Sequence, residues 1–320
     1  MKLVKILLGI LLVLVLLGAA FYGWAASRAR NLLGTTVVTH TVDFPVPFPL
    51  PEDERATLAP GEDPDSVALA RARERGRHLV ESRYGCAECH GADFGGGVMV
   101  DDPLIGSLLA PNLTSGEGSA VTDFTPADWE RIVRHGVRHD GRPAVMPAQD
   151  FRLMSDRELS DIIVYVRGLP PVDRAVSQPR LGPLGTVLLA TGQIPLAAFM
   201  LPGHDATHAE SPPAEEASVE FGRHLAAPCM GCHGPDLAGG PIPGGDPSWP
   251  PAANLTSHAE GLGTWGEEDF DATMREGRKP DGTELLEPMA RVVGYTRNMT
   301  EVELDALWAY LRSVEPVPGN

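Results

Sequence analysis

The sequence predicts an all-α protein in which one N-terminal transmembrane helix is followed by two tandem copies of a small helical domain. Three observations lead to this prediction. Residues 6–26 carry no charged side chain, and the pattern C-x-x-C-H occurs twice, at 86–90 and 229–233. After each pattern the chain follows the same order of turns and helices, with a repeat of roughly 100 residues. Neither copy shows the alternation of apolar and polar residues that predicts strand pairs.

The composition fits a chain with two domains of ordinary size. Of the 320 residues, 43% are apolar, which is enough for each domain to bury a core. The formal net charge is −17, so the chain lacks the basic face that phosphate contacts need, and no nucleic acid is expected as a partner. Residues 65–172 hold 12 basic and 16 acidic side chains, whereas residues 214–320 hold 7 and 18. The more acidic second half is either a solvated surface or a docking face for a basic protein.

Residues 1–30 predict a membrane anchor. Lys2 and Lys5 precede the uncharged run at 6–26, which at about 1.5 Å per residue is long enough to cross a bilayer. A cleaved secretory signal is the alternative, because residues 18–20 are small, but the apolar core of a signal usually spans about 7–15 residues. The leading lysines favour a cytoplasmic N-terminus, which would place the rest of the chain on the periplasmic side.

Residues 31–64 predict an extended, proline-rich tether. Every second residue from Pro45 to Pro51 is proline. Proline fixes φ and removes a backbone donor, so this stretch favours polyproline II over a helix or a central strand. We expect the tether to hold the first domain away from the lipid.

The two C-x-x-C-H patterns predict two covalently bound haem c groups, each with its iron. They contain every cysteine of the chain and a histidine after each pair: Cys86, Cys89 and His90, then Cys229, Cys232 and His233. In this pattern the thiols form thioethers to the porphyrin, and the histidine is an axial ligand of the iron.

Three other interpretations of the cysteine pairs fit less well. The halves of a structural zinc site usually lie closer in sequence than the 143 positions that separate Cys86 from Cys229. A thioredoxin-like pair needs a βαβ context, which is not seen around either pair. Simple disulfides would leave the two histidines unexplained.

The same elements surround each pattern. A charged helix is predicted over 66–83, before the first pattern. After each pattern come a turn-rich loop and then a second helix, at about 125–136 in the first half and 266–277 in the second. Both helices end at glycine, and the first begins with a threonine N-cap and a proline at its first position.

The third helices correspond position by position. Each begins with a capping box, Ser155-x-x-Glu158 in the first half and Thr300-x-x-Glu303 in the second. Both then carry an apolar stripe with the spacing i, i+3, i+4, i+7 that is typical of a helix packed on a core. The sequence therefore describes two copies of one α domain.

On these residues each half resembles a class I cytochrome c domain, and the chain as a whole resembles a membrane-anchored dihaem cytochrome c. The resemblance covers residues 65–172 and 214–320. It implies that the first helix of each domain crosses the last one through a glycine, against an aromatic side chain. The residues that fit this crossing are Gly76 with Tyr165 and Gly222 with Tyr310.

The resemblance also implies that a turn carbonyl accepts the Nδ1 proton of each axial histidine and fixes its tautomer. In the first half this turn contains Pro111 and Asn112, and in the second it contains Ala253 and Asn254. The second turn lacks the proline, but the hydrogen bond would use the main-chain carbonyl of Ala253.

Met146 and Met289 are predicted as the sixth ligands of the two irons. An axial methionine should follow the second helix, on a loop, and precede the capping box of the third. Both residues satisfy this, and each lies 56 positions after its histidine. Met154 and Met299 also recur, but each directly precedes an N-cap, where an apolar residue usually staples the helix start.

The other eight histidines compete with the methionines in principle, His135 and His139 especially, since bis-histidine ligation would lower the haem potential. His135 and His139 lie in or just after the second helix, and we expect them at the surface. His78 and His224 recur on the first helix of each half, and we expect them to cover its outer face.

Residues 173–213 predict a packed crossover between the domains. The stretch 181–192 is apolar enough to suggest a second membrane span, but proline and glycine interrupt it. His204 and His208 could bind a metal, although a flexible polar loop is the commoner explanation.

A haem with histidine and methionine in its two axial positions has no open site for a small-molecule substrate, so single-electron transfer is expected rather than catalysis. The sequence therefore predicts a periplasm-facing relay, anchored by one span in the bacterial inner membrane, between redox protein partners such as a membrane oxidoreductase complex. Two alternatives stay open. One is the electron-accepting cytochrome subunit of a membrane-bound dehydrogenase or of a photosynthetic or respiratory complex. The other is a dihaem peroxidase, which would need one five-coordinate haem.

Overall fold

The chain is mostly helical in the computed structural model, which describes residues 1–205 and 207–319. Ala206, inside the His204–His208 stretch, and Asn320, the last residue of the predicted second domain, lie outside the described residues. The first helices are α1 (Lys2–Gly34), α2 (Glu52–Ala56), α3 (Pro64–His78), α4 (Ala87–His90), α5 (Pro126–His135) and α6 (Asp156–Arg167). They are followed by α7 (Pro183–Ala190), α8 (Ala197–Met200), α9 (Val219–Leu225), α10 (Met230–His233), α11 (Glu267–Glu276), α12 (Met289–Thr296) and α13 (Glu301–Ser313). A π-helical turn at Leu79–Arg83 extends α3, and a 3₁₀ turn lies at Ala148–Asp150.

The helix ends follow the capping signals in the sequence. Ser155 and Thr300 each accept a hydrogen bond from the amide three residues later, and the glutamate at that position bonds back to the cap. Thr125 caps α5 in the same way, and α5 ends at Gly136 with a left-handed φ of 64°. These caps satisfy amides that have no partner within the helix, and so they fix where α5, α6 and α13 begin.

A small antiparallel sheet departs from the all-α expectation. Strand β1 (Gly97–Asp102) pairs with β2 (Gly106–Ala110), which also pairs with β3 (Arg180–Leu181). Gly97 lies opposite Ala110, and Gly106 lies opposite Leu181. The strands are short and rich in glycine, and β3 comes from the linker, so local periodicity did not indicate them.

Glycine allows the first and last helices of each domain to cross closely. A Cβ on Gly76 would collide with the carbonyl oxygen of Asp161 and lie 2.8 Å from the Cβ of Tyr165. A Cβ on Gly222 would collide with the Ala306 carbonyl and lie 2.7 Å from the Cβ of Tyr310. The α3–α6 and α9–α13 crossings therefore use the glycines that the resemblance implied.

Each half has its own hydrophobic core. The first includes Leu79, Trp129 and Ile163, and the second includes Phe221, Phe270 and Leu304. The amphipathic third helices α6 and α13 supply several of the buried side chains in each case. The two cores are what hold the helices around each C-x-x-C-H pattern.

The proline-rich segment packs on the first domain and is not a free-standing extended chain. Residues 35–51 contain no helix or strand, but Phe44 and Phe48 are buried in the first core. The Ser160 hydroxyl of α6 donates to the Pro45 carbonyl at 2.8 Å. The apolar side chains between the prolines give this segment a surface to bury, which a free spacer would leave exposed to water.

Helix α1 is long and apolar enough to cross a membrane by length and composition, and no other helix among the described residues meets that test. None of its most apolar 18-residue window is buried. Its C-terminal part packs on α7, where the Arg28 Nε donates to the Ala190 carbonyl at 2.8 Å. Such a helix near the N-terminus fits either a transmembrane anchor or a signal sequence. Helix α7 has only 8 residues and is too short for a second span.

Candidate haem-binding sites

Each C-x-x-C-H pattern forms one short helix beside the core of its own domain. In the first domain the His90 amide donates to the Cys86 carbonyl at 3.0 Å, and in the second the His233 amide donates to the Cys229 carbonyl at 2.9 Å. One helical turn thus brings each histidine next to its two cysteines.

The four thiols are chemically available for attachment. None of them forms a disulfide in the structure. Burial raises the pKa of Cys86 to about 12 and the pKa of Cys229 to about 12, so both are neutral thiols at pH 7. Both pack against the apolar core of their domain, where a porphyrin edge would be shielded from water.

A backbone carbonyl orients each histidine. The Nδ1 of His90 lies 3.0 Å from the Pro111 carbonyl oxygen, and the Nδ1 of His233 lies 2.7 Å from that of Ala253. A carbonyl oxygen only accepts hydrogen bonds, so Nδ1 carries the proton and Nε2 keeps its lone pair for a metal. Burial lowers the pKa of both imidazoles, against the opposing effect of the carbonyl bond, and favours this neutral form. The donor set of each domain therefore fits a haem c.

Asn112 and Asn254 act on the turn that carries this carbonyl. The Nδ2 of Asn112 donates to the Val172 carbonyl at 2.7 Å, and its Oδ1 accepts from the amide of Thr114 at 2.9 Å. The Nδ2 of Asn254 donates to Val317 at 2.7 Å in the same way. These hydrogen bonds hold the turn that carries the carbonyl, and contact of Asn112 and Asn254 with the haem stays a prediction.

The two predicted methionine ligands lie at different local structures. Met146 lies in the irregular segment after α5, as expected, whereas Met289 is the first residue of α12 and not part of a loop. Both are partly buried against the core of their own domain, as are the attachment cysteines Cys86 and Cys229. Ligation by Met146 and Met289 stays a prediction.

Met154 and Met299 occupy the other recurrent position. They are 3% and 5% exposed and belong to the two hydrophobic cores. Each directly precedes an N-cap residue, Ser155 or Thr300. Their burial under the helix start agrees with the stapling role predicted from the sequence.

The structure corrects the expectation for His135. Its side chain is buried, with Nε2 3.1 Å from Oε1 of Glu130 and Nδ1 3.0 Å from Nδ1 of His204. Both ring nitrogens face protein groups, so neither is free to bind a haem iron. His139, in contrast, is exposed as expected.

His78 and His224 lie between the domains, and the expectation that they cover an outer face was wrong. The Nε2 of His78 is 2.9 Å from both carboxylate oxygens of Glu303, and the Nε2 of His224 is 2.8 Å from Oε1 of Glu158. Each histidine thus contacts the capping glutamate of the other domain. Their recurrence in both repeats was the available signal, because a symmetric pair of domains forms reciprocal contacts.

A buried arginine joins these two glutamates. Arg83 is 8% exposed and contacts Glu303 closely, with Glu158 at 3.4 Å and Glu215 at 2.8 Å. A buried guanidinium needs such partners to offset its desolvation, so this cluster fixes the relative position of the domains.

Each haem-attachment region also contacts the other domain. A Cβ on Gly85, just before Cys86, would lie 2.8 Å from Cζ of Tyr295 in α12. A Cβ on Gly231, inside the second pattern, would lie 2.8 Å from Cγ of Asp150, and burial raises the pKa of Asp150 to about 7. Tyr295 comes shortly after Met289, and Asp150 comes shortly after Met146. Each domain therefore contacts the other one through the segment that follows its predicted methionine ligand. Tyr295 and Asp150 were not predicted as site residues, because no local pattern marks a residue whose partner lies in the other repeat.

Two family models match the chain. Residues 71–166 match the model of cytochrome c oxidase, cbb3-type, subunit III, and residues 219–315 match the model of cytochrome c. The two matched ranges each contain one C-x-x-C-H pattern.

Curated relatives match both halves together. The alcohol dehydrogenase (quinone) cytochrome c subunit of Gluconacetobacter polyoxogenes is 29% identical over 293 residues, covering 79% of this chain and 60% of the relative. The gluconate 2-dehydrogenase cytochrome c subunit of Pantoea cypripedii is 28% identical over 275 residues, covering 75% and 59%. A dihaem cytochrome c-type protein of Cereibacter sphaeroides is 27% identical over 284 residues, covering 80% and 90%. The chain thus spans 60% or less of the length of these two dehydrogenase subunits and most of the length of the dihaem protein.

Proposed function

Because this chain contains two cytochrome c domains, each with its haem-attachment pattern, we propose that it relays single electrons between protein partners at the periplasmic face of the bacterial cytoplasmic membrane. Haem c, when bound, supplies a reversible one-electron couple. Cys86 and Cys89 would hold the first group, and Cys229 and Cys232 the second. The chain is an electron-transfer component and not itself a catalytic enzyme.

The protein's own residues set the ligation. The Pro111 and Ala253 carbonyls keep the proton on Nδ1 of His90 and His233, which leaves each Nε2 as a neutral ligand. Met146 and Met289 are the proposed sixth ligands, and a thioether raises the reduction potential relative to a second imidazole. With His90 and Met146, or His233 and Met289, as its ligands, each iron would have no open position for peroxide, which disfavours the peroxidase alternative.

The observation that carries the relay proposal is the reciprocal contact between the domains at their haem-attachment regions. Tyr295 of the second domain lies against Gly85, and Asp150 of the first lies against Gly231. Arg291 of α12 is also 3.8 Å from Glu88, inside the first pattern. Both attachment helices therefore face one interface, which favours electron passage from one haem to the other within the chain.

The partner we propose is a membrane-bound dehydrogenase. Three of the relatives are named as cytochrome subunits of alcohol, gluconate and fructose dehydrogenases. In such a complex this chain would accept electrons from a catalytic subunit and pass them on. A free-standing dihaem carrier is the second candidate, because the dihaem relative is covered over 90% of its length. Catalytic subunits that purify with the detergent-solubilised protein would favour the first candidate.

We propose that α1 stays attached as a single-pass anchor. Its apolar surface is not buried, and its C-terminal part packs on α7. A signal that is removed after export would not need this contact with the mature protein. Sequencing the N-terminus of the mature protein tests this: an intact Lys2–Lys5 end supports the anchor, and a start near Ser27 contradicts it.

Flash photoreduction tests the relay. Met146→His should lower the potential of the first haem and give it a distinct spectrum, so that electrons placed on it move to the second haem. We expect this second phase to have a rate independent of protein concentration. The matched variant Met289→His should reverse the direction. A redistribution whose rate rises in proportion to protein concentration would mean that electrons pass only between molecules.

A further inference from the structure

Four side chains outside the haem regions converge at the end of α5. They are Glu130 and His135 of α5, His40 of the proline-rich segment, and His208 of the linker. From their geometry the structure assigns a third metal site, independent of the two haems, that binds one zinc ion through three imidazoles and one carboxylate. This zinc site, as we call these four residues, joins three separate parts of the chain.

The distances match a tetrahedral ion. The Nε2 atoms of His135 and His208 each lie 3.1 Å from Oε1 of Glu130, and the Nε2 of His40 lies 3.6 Å from it. In tetrahedral zinc sites, bonds of about 2.0–2.1 Å place neighbouring ligand atoms about 3.3 Å apart. All four ligand atoms lie within 4.8 Å of one another, so small side-chain rotations would complete the site.

The hydrogen bonds outside the cluster point two histidine lone pairs inward. The Nδ1 of His40 lies 2.7 Å from the His204 carbonyl, so Nδ1 donates and the Nε2 of the neutral ring has no proton. The Nε2 of His204 lies 2.9 Å from the Ala198 carbonyl, so His204 donates there, and its Nδ1 accepts from Nδ1 of His135 at 3.0 Å. The Nε2 of neutral His135 is therefore also a bare lone pair.

These lone pairs face a carboxylate oxygen, which cannot donate to them. The Nε2 of His40 is buried and has no hydrogen-bond partner among the described residues, and the buried Nε2 of His208 faces only the carboxylate of Glu130, at 3.1 Å. Nitrogen lone pairs that point at one place, with no hydrogen-bond donor between them, are stabilised by a cation at that place. The outer hydrogen bonds of His40 to a carbonyl, and of His135 to His204, are the kind of support that metal-bound histidines normally have.

The donor set and the burial favour zinc in a structural role. Three imidazoles and one carboxylate suit a tetrahedral zinc ion, whereas copper(II) prefers a tetragonal arrangement. Four protein ligands leave no open position for water or substrate, as in structural zinc sites. Arg134, fully buried, contacts the other oxygen of Glu130 and lies 2.6 Å from Asp156, which fixes the carboxylate.

Bound zinc would cross-link three segments at the first domain. Zinc would tie the proline-rich segment through His40 and the linker through His208 to α5. These are the two segments that leave the domain toward α1 and toward the second domain. The zinc site would therefore hold the anchor side and the linker side of the molecule together.

Metal analysis of the full-length protein, purified in detergent without a polyhistidine tag, tests the inference. We expect two iron atoms and one zinc per chain. His208→Ala should weaken zinc binding by more than about 100-fold, because loss of a ligand costs more than loss of a supporting hydrogen bond, which costs about 10–100-fold. The two iron atoms should stay. The matched control is His139→Ala, which changes an exposed histidine just beyond α5 and should keep its zinc.

Two measurements on the unaltered protein complete the test. Zinc-edge X-ray absorption should show three nitrogen ligands and one oxygen, with no sulfur. After removal of zinc by a chelator, proteolysis of the linker within residues 201–213 should become faster, and added zinc should slow it again. A zinc-free protein that fails to take up zinc in a titration against a competing chelator would overturn the assignment, as would sulfur ligands or equal zinc loss in both variants.

Discussion

At the scale of single residues, the proposed ligation of each haem uses one histidine and one methionine. Met146 and Met289 lie 56 residues beyond their histidines and pack against the core of their own domain, as Cys86 and Cys229 do. Thioether sulfur bound to ferric haem iron gives a characteristic weak absorption band. Met146→Ala and Met289→Ala should each remove about half of it, because each domain would contribute one sulfur–iron bond.

The other recurrent methionines provide the control. Met154 and Met299 are buried staples, so Met154→Ala and Met299→Ala should lower stability by about 2–5 kcal/mol and leave the band intact. Absorption spectra of the oxidised variants decide between the two pairs. An unchanged band in Met289→Ala would give the second iron another ligand.

Residue by residue, the sequence was informative where the chemistry is local. The C-x-x-C-H patterns and the Pro111 and Ala253 turns lie close together in the chain, so their spacing carries the signal. The predicted surface positions of His135 and His224 were wrong, because their partners His204 and Glu158 lie 69 and 66 positions away in the sequence. No local pattern encodes such contacts.

At the scale of elements, the crossing of the first and last helices in each domain depends on glycine. In Gly222→Ala the added methyl group would meet the Ala306 carbonyl, and we expect a loss of about 1–3 kcal/mol in unfolding free energy. Gly294→Ala is the matched control, because nothing lies within 4 Å of its added Cβ and alanine favours a helix by about 1 kcal/mol. Denaturant unfolding of both variants should give opposite signs; a stable Gly222→Ala would mean that the helices do not cross there.

Helices were predictable where the sequence contains a capping box and an apolar stripe with helical spacing. The capping boxes at Ser155 and Thr300 marked α6 and α13 directly. Strand β3 was missed because it is two residues of the linker paired with a strand far back in the chain. The proline-rich segment was predicted as an extended tether, because proline content indicates stiffness but not whether Phe44 and Phe48 are buried in a core.

At the scale of the whole molecule, the domain interface should depend on pH. Burial opposes ionisation of Glu303, but the His78 hydrogen bond and the Arg83 charge outweigh it and lower the pKa of Glu303 to about 2. A lowered pKa in the folded state stabilises the protein above the ordinary value of 4.5, and that contribution is lost as pH falls from there toward 2.

Thermal melting between pH 7 and pH 3 measures this contribution. We expect the melting temperature to fall with acidification, and to fall less in Glu303→Gln, which is already less stable at pH 7. Glu301→Gln, an exposed neighbour in the first turn of α13, should behave like the unaltered protein. Identical pH profiles for all three proteins would show that the interface does not depend on the charge of Glu303.

We propose that two haems, each with histidine and methionine as its axial ligands, form one electron relay within this chain. Coulometric titration of the purified full-length protein, followed by its absorption spectrum with and without carbon monoxide, tests it most directly. We predict two electrons per chain, each taken up in a one-electron step, and curves that carbon monoxide does not change. Uptake of one electron per chain, or a haem that binds carbon monoxide in the unaltered protein, would contradict the account.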